Sequence, residues 1–332
     1  MMLKLFLLLH MLGSIIANEG PIPGCEEDSL DAYSKFSSPG KDLVCINVTL
    51  KYNTSLTTKY KDWSRRTVQL ISTKGVLSNK TLKGYSLVEN FLIYKSNISK
   101  FSLALPFGSY LLVVQSIFPN VTRENLNGIK YLFSLAFHSN TGITFEENCF
   151  QELLFLKNLT IFNQTFTEIT PNTFRNLKEL QTLVLNANGL RHIHKNSFLN
   201  LTMLKELNLE NNPLEYFKIN VSGLPRLEKL CLINTNISNF NIPFFYPLRR
   251  MNTLGLPSSL WFTLKLYELA IGFPYLETVL INDLDKNTAN LKEKIDMMEF
   301  AQLVVKKVKK VDPIDTPILI KYIIMDRYYV NI

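Results

Sequence analysis

The histidines are the first residues to consider for chemistry, because imidazole is a common metal ligand. His192 and His194 flank Ile193 in an H-x-H pattern. A metal site needs further ligands that converge on the same point. The pair follows a short apolar run in a turn, where polar side chains ordinarily face solvent, and His138 stands alone. We therefore expect no metal site.

Catalytic motifs are incomplete in this chain. Gly84-Tyr85-Ser86 begins like a nucleophile elbow, but Leu87-Val88 follows and the final glycine of that motif is missing. The sequence contains no H-E-x-x-H, no phosphate-binding loop and no dinucleotide fingerprint. The sequence therefore predicts a protein that is not an enzyme and needs no cofactor.

The dominant pattern is a repeat of leucines, which is most regular between Leu180 and Phe217. One unit carries Leu180, Leu183, Leu185, Asn188, Leu190, Ile193 and Phe198, and the next repeats these types 24 residues later from Leu204. Similar units begin at Val88, Leu132, Leu156, Leu227, Met251 and Leu276, with a poorer one around Leu111. We count eight or nine units in residues 86–284.

The repeat has a direct physical interpretation. Alternating leucines form a short strand with its apolar side chains inward, and strands of successive units pair in parallel. The asparagine then turns the chain, and its amide can bond backbone groups that no strand satisfies. Ile193 and Phe198 fill the core from the outer side. No unit buries its leucines alone, so stacking holds the array together.

The spacing L-x-x-L-x-L-x-x-N-x-L resembles the leucine-rich repeat family, in particular its extracellular members such as Toll-like and chaoptin-like ectodomains. The resemblance implies an α/β solenoid with a curved parallel sheet on its concave face and short helical or irregular segments on its convex face. It also implies non-catalytic binding of a protein or glycan, in innate immunity or cell–cell recognition. Alternatives are a secreted effector or decoy (from a venom or directed at a host) and a structural matrix or adhesion glycoprotein that self-associates.

The N-terminus predicts secretion. Lys4 and the apolar run from Leu5 to Ile16 are typical of a signal peptide, which we place at residues 1–17. No later apolar run is long enough to span a bilayer. Glycosylation sequons begin at Asn47, Asn53, Asn79, Asn97, Asn120, Asn158, Asn163, Asn200, Asn220 and Asn236. The net charge of +8 is too modest to indicate a nucleic acid partner.

Both ends of the array need a cap, because a terminal repeat exposes an apolar face. We assign residues 18–85 to an N-terminal cap, where the family resemblance implies a Cys25–Cys45 disulfide. Residues 285–332 are assigned to a C-terminal cap that contains a helix at 289–310 and a strand at 317–324. The basic run at 306–310 is interpreted as a solvated helix end, with a glycan or membrane patch as the alternative.

The remaining thiols, Cys149 and Cys231, should lie on different surfaces and stay unpaired, although Cys231 could pair with another chain. The outward residues of the best strands are our candidate ligand-binding set. They are Gln181, Thr182, Val184, Asn186, Lys205, Glu206, Asn208, Glu210, Glu228, Lys229 and Ile233. This set mixes both charge signs and lacks an aromatic or large apolar cluster. A glycan at Asn158 would cover part of the same face.

Overall fold

The protein is a solenoid built on one long sheet. The computed structural model describes residues 24–27, 42–53, 56, 67–82, 87–261, 268–269, 272–281, 322–325 and 328–331. The strands in chain order are β1 (Gly24–Glu27), β2 (Asp42–Ile46), β3 (Thr49–Leu50), β4 (Thr67–Ile71), β5 (Lys74–Ser78), β6 (Asn90–Tyr94), β7 (Asn97–Ser102), β8 (Tyr110–Val114), β9 (Ser134–His138), β10 (Asn158–Phe162), β11 (Glu168–Ile169), β12 (Thr182–Val184), β13 (His192–Ile193), β14 (Glu206–Asn208), β15 (Lys229–Cys231), β16 (Thr253–Leu256), β17 (Thr278–Ile281), β18 (Tyr322–Met325) and β19 (Tyr328–Asn331).

The main sheet contains fourteen strands in the order β1-β2-β4-β6-β8-β9-β10-β12-β14-β15-β16-β17-β18-β19. Its neighbours pair in parallel from β2 to β18, and the register aligns the leucines of successive repeats. Leu159, Leu183 and Leu207 are consecutive partners in this register, and each is fully buried. This parallel sheet confirms the predicted fold class. Its register is fixed because a slip of one residue would move the leucines out of the core.

The sheet extends further towards the N-terminus than the repeat pattern predicts. Strand β2 pairs in parallel with β4, and β4 pairs in parallel with β6. The inward residues of β2 and β4 join the same core. The parallel sheet therefore includes strands within residues 18–85, the range assigned to the N-terminal cap. Cys45–Leu50 is divided between two strands, because Asn47 has a φ of 54° and separates β2 from β3. These early units are hard to recognise because Val48 and Thr73 stand where asparagine is expected.

Strand β1 is the antiparallel first strand of the sheet. Its register with β2 sets Cys25 directly opposite Cys45. Opposite residues of an antiparallel pair have Cα atoms about 4.5–5.5 Å apart, which is within the range that a disulfide spans.

Nine repeats, those of the parallel strands from β2 to β15, turn shortly after their strand through a residue in the left-handed conformation. These residues have φ values between 46° and 59°, and they are Asn47, Ser72, Lys95, Gln115, Ser139, Asn163, Ala187, Asn211 and Asn234. Such a conformation costs a non-glycine residue roughly 1 kcal/mol. In these nine repeats the turn directs the next side chain, at the asparagine position of the motif, into the interior.

The side chains at that position form a buried polar ladder. The backbone N–H of Ser116 donates to Asn140 Oδ1 at 3.0 Å, and that of Asn188 donates to Asn212 Oδ1 at 2.9 Å. Serine hydroxyls do the same work in the earlier repeats, where the N–H of Thr73 donates to Ser96 Oγ at 3.0 Å. The ladder satisfies backbone groups that the short strands leave without partners.

Gln164 is the weak point of this ladder. Its side chain is one methylene longer than asparagine, and its Nε2 bonds only the nearby carbonyl of Phe162, at 3.1 Å. Its Oε1 is buried without a hydrogen-bond donor. A buried polar atom without a partner costs about 1–3 kcal/mol.

We expect Gln164→Asn to raise the free energy of unfolding by about 1 kcal/mol, because the shorter amide can accept the ladder bond that Asn140 and Asn212 accept. Denaturant unfolding of the purified chain measures this change. Gln181→Asn is the matched control, since Gln181 is half-buried at the sheet edge outside the ladder, and it should change stability by less than about 0.5 kcal/mol. Equal or lower stability of Gln164→Asn would contradict this account of the ladder.

The convex side packs mainly through phenylalanines. Phe174 stacks on Phe150 and on Phe198, with ring centroids 6.1 and 6.3 Å apart. Phe198 is fully buried and Ile193 packs against the core, as the repeat pattern predicts. Two smaller parallel sheets, β3-β5-β7 and β11-β13, complete this side. The helical segments are short: α1 (Arg123–Asn127), α2 (Ser258–Trp261) and 3-10 turns at Val221–Gly223 and Ile242–Phe245.

At the far end, β17 confirms the last predicted repeat strand. Strand β18 pairs with it in parallel and β19 returns antiparallel, so part of the predicted strand at 317–324 is observed. The predicted signal peptide, the boundary near residue 284 and the predicted helix at 289–310 lie outside the described residues. Within the described residues, no helix has the length and apolar character to cross a membrane.

Candidate functional site

The candidate site is the sheet face opposite the leucine core, which we call the concave face. Every second strand residue points there, so parallel pairing arranges these residues in rows that run across the repeats. One row reads Ile46, Ile71, Tyr94, Val114, His138 and Phe162 in consecutive strands from β2 to β10. The sequence-predicted ligand-binding residues belong to the continuation of this face on β12, β14 and β15.

Not all predicted residues are equally available to a ligand. Thr182, Glu206 and Lys229 align on one row, and Lys205 and Lys229 are exposed. Gln181, Glu228, Asn208, Glu210 and Ile233 are half-buried. Val184 and Asn186, in contrast, are only 2% and 5% exposed. The neighbouring rows therefore cover these two side chains, and the face is more closely packed than alternation alone suggests.

Asn186 and Glu210 form a polar cluster in the middle of this half. Asn186 Nδ2 donates to Glu210 Oε2 at 3.3 Å, while Asn186 Oδ1 is buried without a donor. Asn208 Oδ1 accepts the backbone N–H of Glu210 at 3.1 Å. Burial raises the pKa of Glu210 above its ordinary value, and hydrogen bonds with Asn208 and Asn211 oppose that shift. Within this cluster, the half-buried carboxylate of Glu210 is the acceptor that an N–H group of a ligand can reach.

The N-terminal half of the same face, which lies outside the sequence-predicted ligand-binding set, is apolar. A second hydrophobic cluster, separate from the core and here called the apolar patch, lies on β2, β4, β6 and β8. Its buried members are Ile71, Leu92, Tyr94 and Val114, and its half-buried members are Val44, Ile46 and Leu112. The half-buried side chains are the part that a ligand can contact.

His138 and Phe162 lie where the apolar patch meets the polar half. Their rings stack with centroids 4.4 Å apart. Burial lowers the pKa of His138 below its ordinary value, and its Nδ1 is a buried atom without a partner. A neutral imidazole is therefore favoured here, and it extends the aromatic surface towards Asn186.

The apolar patch could have been found from the sequence. Once Phe91 and Ile93 are assigned inward, alternation assigns Leu92 and Tyr94 outward. Reading outward residues only in the most regular repeats restricted the candidate set to β12, β14 and β15. The unpaired Asn186 Oδ1, in contrast, depends on side-chain geometry that no spacing rule gives.

Potential catalytic groups are dispersed in the described structure. His192 and His194 are exposed, and the described residues contain no group of three or more potential metal ligands. Cys149 and Cys231 are free thiols, the first within the core and the second on the concave face. Burial raises the pKa of Cys231 to about 12 and that of Cys149 still further. Neither thiol is therefore an activated nucleophile.

The sequon asparagines are accessible. Asn158, the first residue of β10, is half-buried at the concave face, as its position beside a strand predicts. The other nine are exposed, and they are Asn47, Asn53, Asn79, Asn97, Asn120, Asn163, Asn200, Asn220 and Asn236.

Comparison with known proteins agrees with this architecture. Residues 155–214 match the family model described as leucine rich repeat. The chain has the solenoid fold of leucine-rich repeat proteins. The matched segment covers the ladder residues Gln164, Asn188 and Asn212 together with the polar cluster, whereas the apolar patch lies outside it.

Two solved structures illustrate the likeness of this fold to others. A chain from the crystal structure of the TLR13–ssRNA13 complex matches with a TM-score of 0.53 and 20% identity, over 67% of this chain and 36% of that chain. A chain from the octameric complex of Latrophilin 3, Unc5D and FLRT2 (LRR) matches with a TM-score of 0.53 and 16% identity, over 70% of this chain and 79% of that chain. No curated protein sequence matches significantly. At these identities the likeness establishes the fold alone.

Proposed function

We propose that this protein is a secreted glycoprotein that binds a protein ligand on its concave face without catalysing a reaction. The observation that carries the proposal is the apolar patch, which shares the concave face with the Asn186–Glu210 cluster. Protein interfaces concentrate their affinity in an apolar centre with a polar surround, and this face offers both.

The two halves of the face suggest how a ligand is oriented. Val44, Ile46 and Leu112 offer apolar contact on β2 and β8. The half-buried Glu210 offers a carboxylate acceptor on the other half, which suits a lysine or arginine side chain of the ligand. A protein ligand supplies both kinds of group on one surface, so we favour it over a glycan.

Secretion and glycosylation belong to the same proposal. The accessible sequon asparagines and the signal-like N-terminal sequence support passage through an oxidising compartment. In that compartment Cys25 and Cys45 would form the disulfide of the N-terminal cap, since the β1–β2 register sets them opposite each other. A link across a loop of this length stabilises by about 3 kcal/mol in the chain-entropy model.

The biological setting that we propose is innate immunity or cell–cell recognition. The fold neighbours come from an assembly of TLR13 with single-stranded RNA and from one of FLRT2 with Latrophilin 3 and Unc5D. These associations belong to those proteins. They support a recognition role for the present chain without naming its ligand.

Affinity capture from the native fluid with the mature glycosylated protein tests the proposal. We expect an Ile46→Ser/Leu112→Ser double variant to retain at least tenfold less of the captured protein than the wild type, because both side chains belong to the accessible part of the apolar patch. Ile117→Ser is the control, since Ile117 is 50% exposed but lies beyond the end of β8, bridged to Asn97 and Thr141. Equal capture by both variants would remove the concave face as the binding site.

A further inference from the structure

A second apolar surface, distinct from the apolar patch, lies at the edge of the concave face where the strands begin. Leu87, Phe107, Tyr131 and Phe155 occupy equivalent positions in four consecutive repeats and are 46%, 59%, 45% and 47% exposed. Tyr110, Phe133 and Leu154 lie beside them and are also exposed. We call these seven residues the aromatic ridge. Contiguous apolar exposure of this kind usually marks an interaction site.

The ridge is an ordered row. Tyr131 and Phe155 stack with ring centroids 5.7 Å apart. The backbone N–H of Phe133 donates to Ser109 at 3.0 Å, and that of Lys157 donates to Phe133 at 2.9 Å, so the adjoining backbone continues the sheet ladder. At a strand spacing of about 4.8 Å, four repeats extend the row over about 14 Å. Its side chains are therefore held in position before any partner binds.

The ridge ends where the same repeat position changes character. The next equivalent residue is the exposed Glu179, and later ones include Arg226 and Arg250. Tyr275 at the far end is again aromatic and 52% exposed, but it is isolated from the ridge by these repeats. The apolar surface is therefore confined to four units.

The charge within the ridge is positive. Lys130 Nζ lies 5.2 Å from the ring centroid of Tyr131, and Lys157 Nζ lies 5.1 Å from that of Phe133. Neither ammonium pairs with a carboxylate in the part of the chain that the structure describes. Both cations thus remain available to an acidic group of a partner.

We propose that the aromatic ridge docks an amphipathic helix of a partner protein whose apolar stripe is flanked by acidic residues. A helix that crosses the strands advances about 5.4 Å per turn, close to the strand spacing of about 4.8 Å, so each turn can place one apolar side chain against one repeat. The flanking carboxylates would then meet Lys130 and Lys157.

A bilayer suits the ridge less well. Both ammonium groups lie over the aromatic rings, so insertion of the rings would carry two cations towards the hydrocarbon region. Charge placed there is costly. An acidic-flanked helix neutralises the same two groups, and the ridge therefore favours a protein partner over a lipid surface.

The test uses a designed helical peptide with leucines at positions i, i+4, i+7 and i+11 and glutamates on both flanks, titrated into the full chain. We expect saturable binding, at least tenfold weaker for a peptide with lysine flanks and for a scrambled peptide of the same composition. The Phe107→Ser/Tyr131→Ser variant should bind at least tenfold more weakly than the wild type. Tyr275→Ser is the matched control and should bind like the wild type, because Tyr275 has the same repeat position and similar exposure.

Several results would overturn the proposal. They are absence of peptide binding, equal binding of the scrambled peptide, and equal binding by the Phe107→Ser/Tyr131→Ser variant. Ridge-dependent binding to vesicles of phosphatidylcholine and phosphatidylserine without peptide binding would assign the ridge to a membrane. Ridge-dependent dimerisation in sedimentation without peptide binding would assign it to a second copy. The concave-face variants do not enter this test, so its outcome is independent of the ligand proposed above.

Discussion

Leu207→Asp is expected to abolish secretion of the folded chain, whereas Lys205→Ala leaves secretion and folding intact. Leu207 is fully buried and pairs in register with Leu183 and Leu230, while Lys205 is exposed two residues away. A fully buried leucine contributes roughly 1.5–3 kcal/mol, and an unpaired buried carboxylate costs several kcal/mol more. The sum approaches the whole stability of a typical folded protein, about 5–15 kcal/mol.

The measurement compares the secreted and retained amounts of both variants by immunoblot, together with circular dichroism of whatever is secreted. Lys205→Ala is the appropriate control because it alters the same strand region on the solvent side. If both variants were secreted equally, the inward and outward assignment of β14 would be wrong. The register of its neighbours, which is aligned with it, would then also be in doubt.

The sequence predicts the central repeats well because each apolar position there is specified more than once. Leu180, Leu183 and Leu185 repeat as Leu204, Leu207 and Leu209, and all six are fully buried. A period that recurs in neighbouring units leaves a single consistent register. This prediction depends only on the pattern of apolar residues, which can be read from the sequence without knowledge of tertiary contacts.

The strands β2 and β4 are hard to recognise as repeats in the sequence, because the ladder position tolerates more residue types than the motif allows. Thr73 and Ser96 take part in the same ladder through backbone and hydroxyl groups, and Val48 stands at that position near the start. The physical requirement is a side chain that can follow a left-handed turn residue. Asparagine meets that requirement best, but a search for asparagine alone ends too early.

The candidate binding surfaces are harder to predict than the fold, because they consist of residues at positions whose type the repeat motif does not specify. The apolar patch arises only when outward residues of irregular repeats are aligned, as Tyr94 with Val114. The aromatic ridge lies one residue before each repeat's first buried position, where the motif specifies nothing. Such residues form a continuous surface only when the sheet places equivalent positions of successive repeats side by side.

Asn212→Ala should destabilise the protein more than the loss of any other ladder side chain described above. Asn212 Oδ1 accepts the backbone N–H groups of Asn188 and Leu190 at 2.9 and 3.1 Å. Its Nδ2 donates to the carbonyls of Leu185 and Leu209 at 2.7 and 2.8 Å. The side chain is 1% exposed, so these backbone groups would be left without water or protein partners.

A buried backbone group without a partner costs about 1–3 kcal/mol, and partial relaxation should limit the total to about 3–5 kcal/mol. We expect this loss as a lower denaturant midpoint, measured against Asn241→Ala. Asn241 is exposed and its side chain makes no capping hydrogen bond, so that control should change stability by less than about 0.5 kcal/mol.

Hydrogen exchange adds a local measurement that separates the ladder from a general loss of packing. In Asn212→Ala the amides of Asn188 and Leu190 should exchange faster than those of Leu183 and Leu207, whose strand pairing is retained. Uniform acceleration along the chain would mean that Asn212 acts through packing alone. Retained protection of Asn188 and Leu190 would mean that the ladder bonds do not stabilise the stack. The coupling between neighbouring repeats would then come from other contacts.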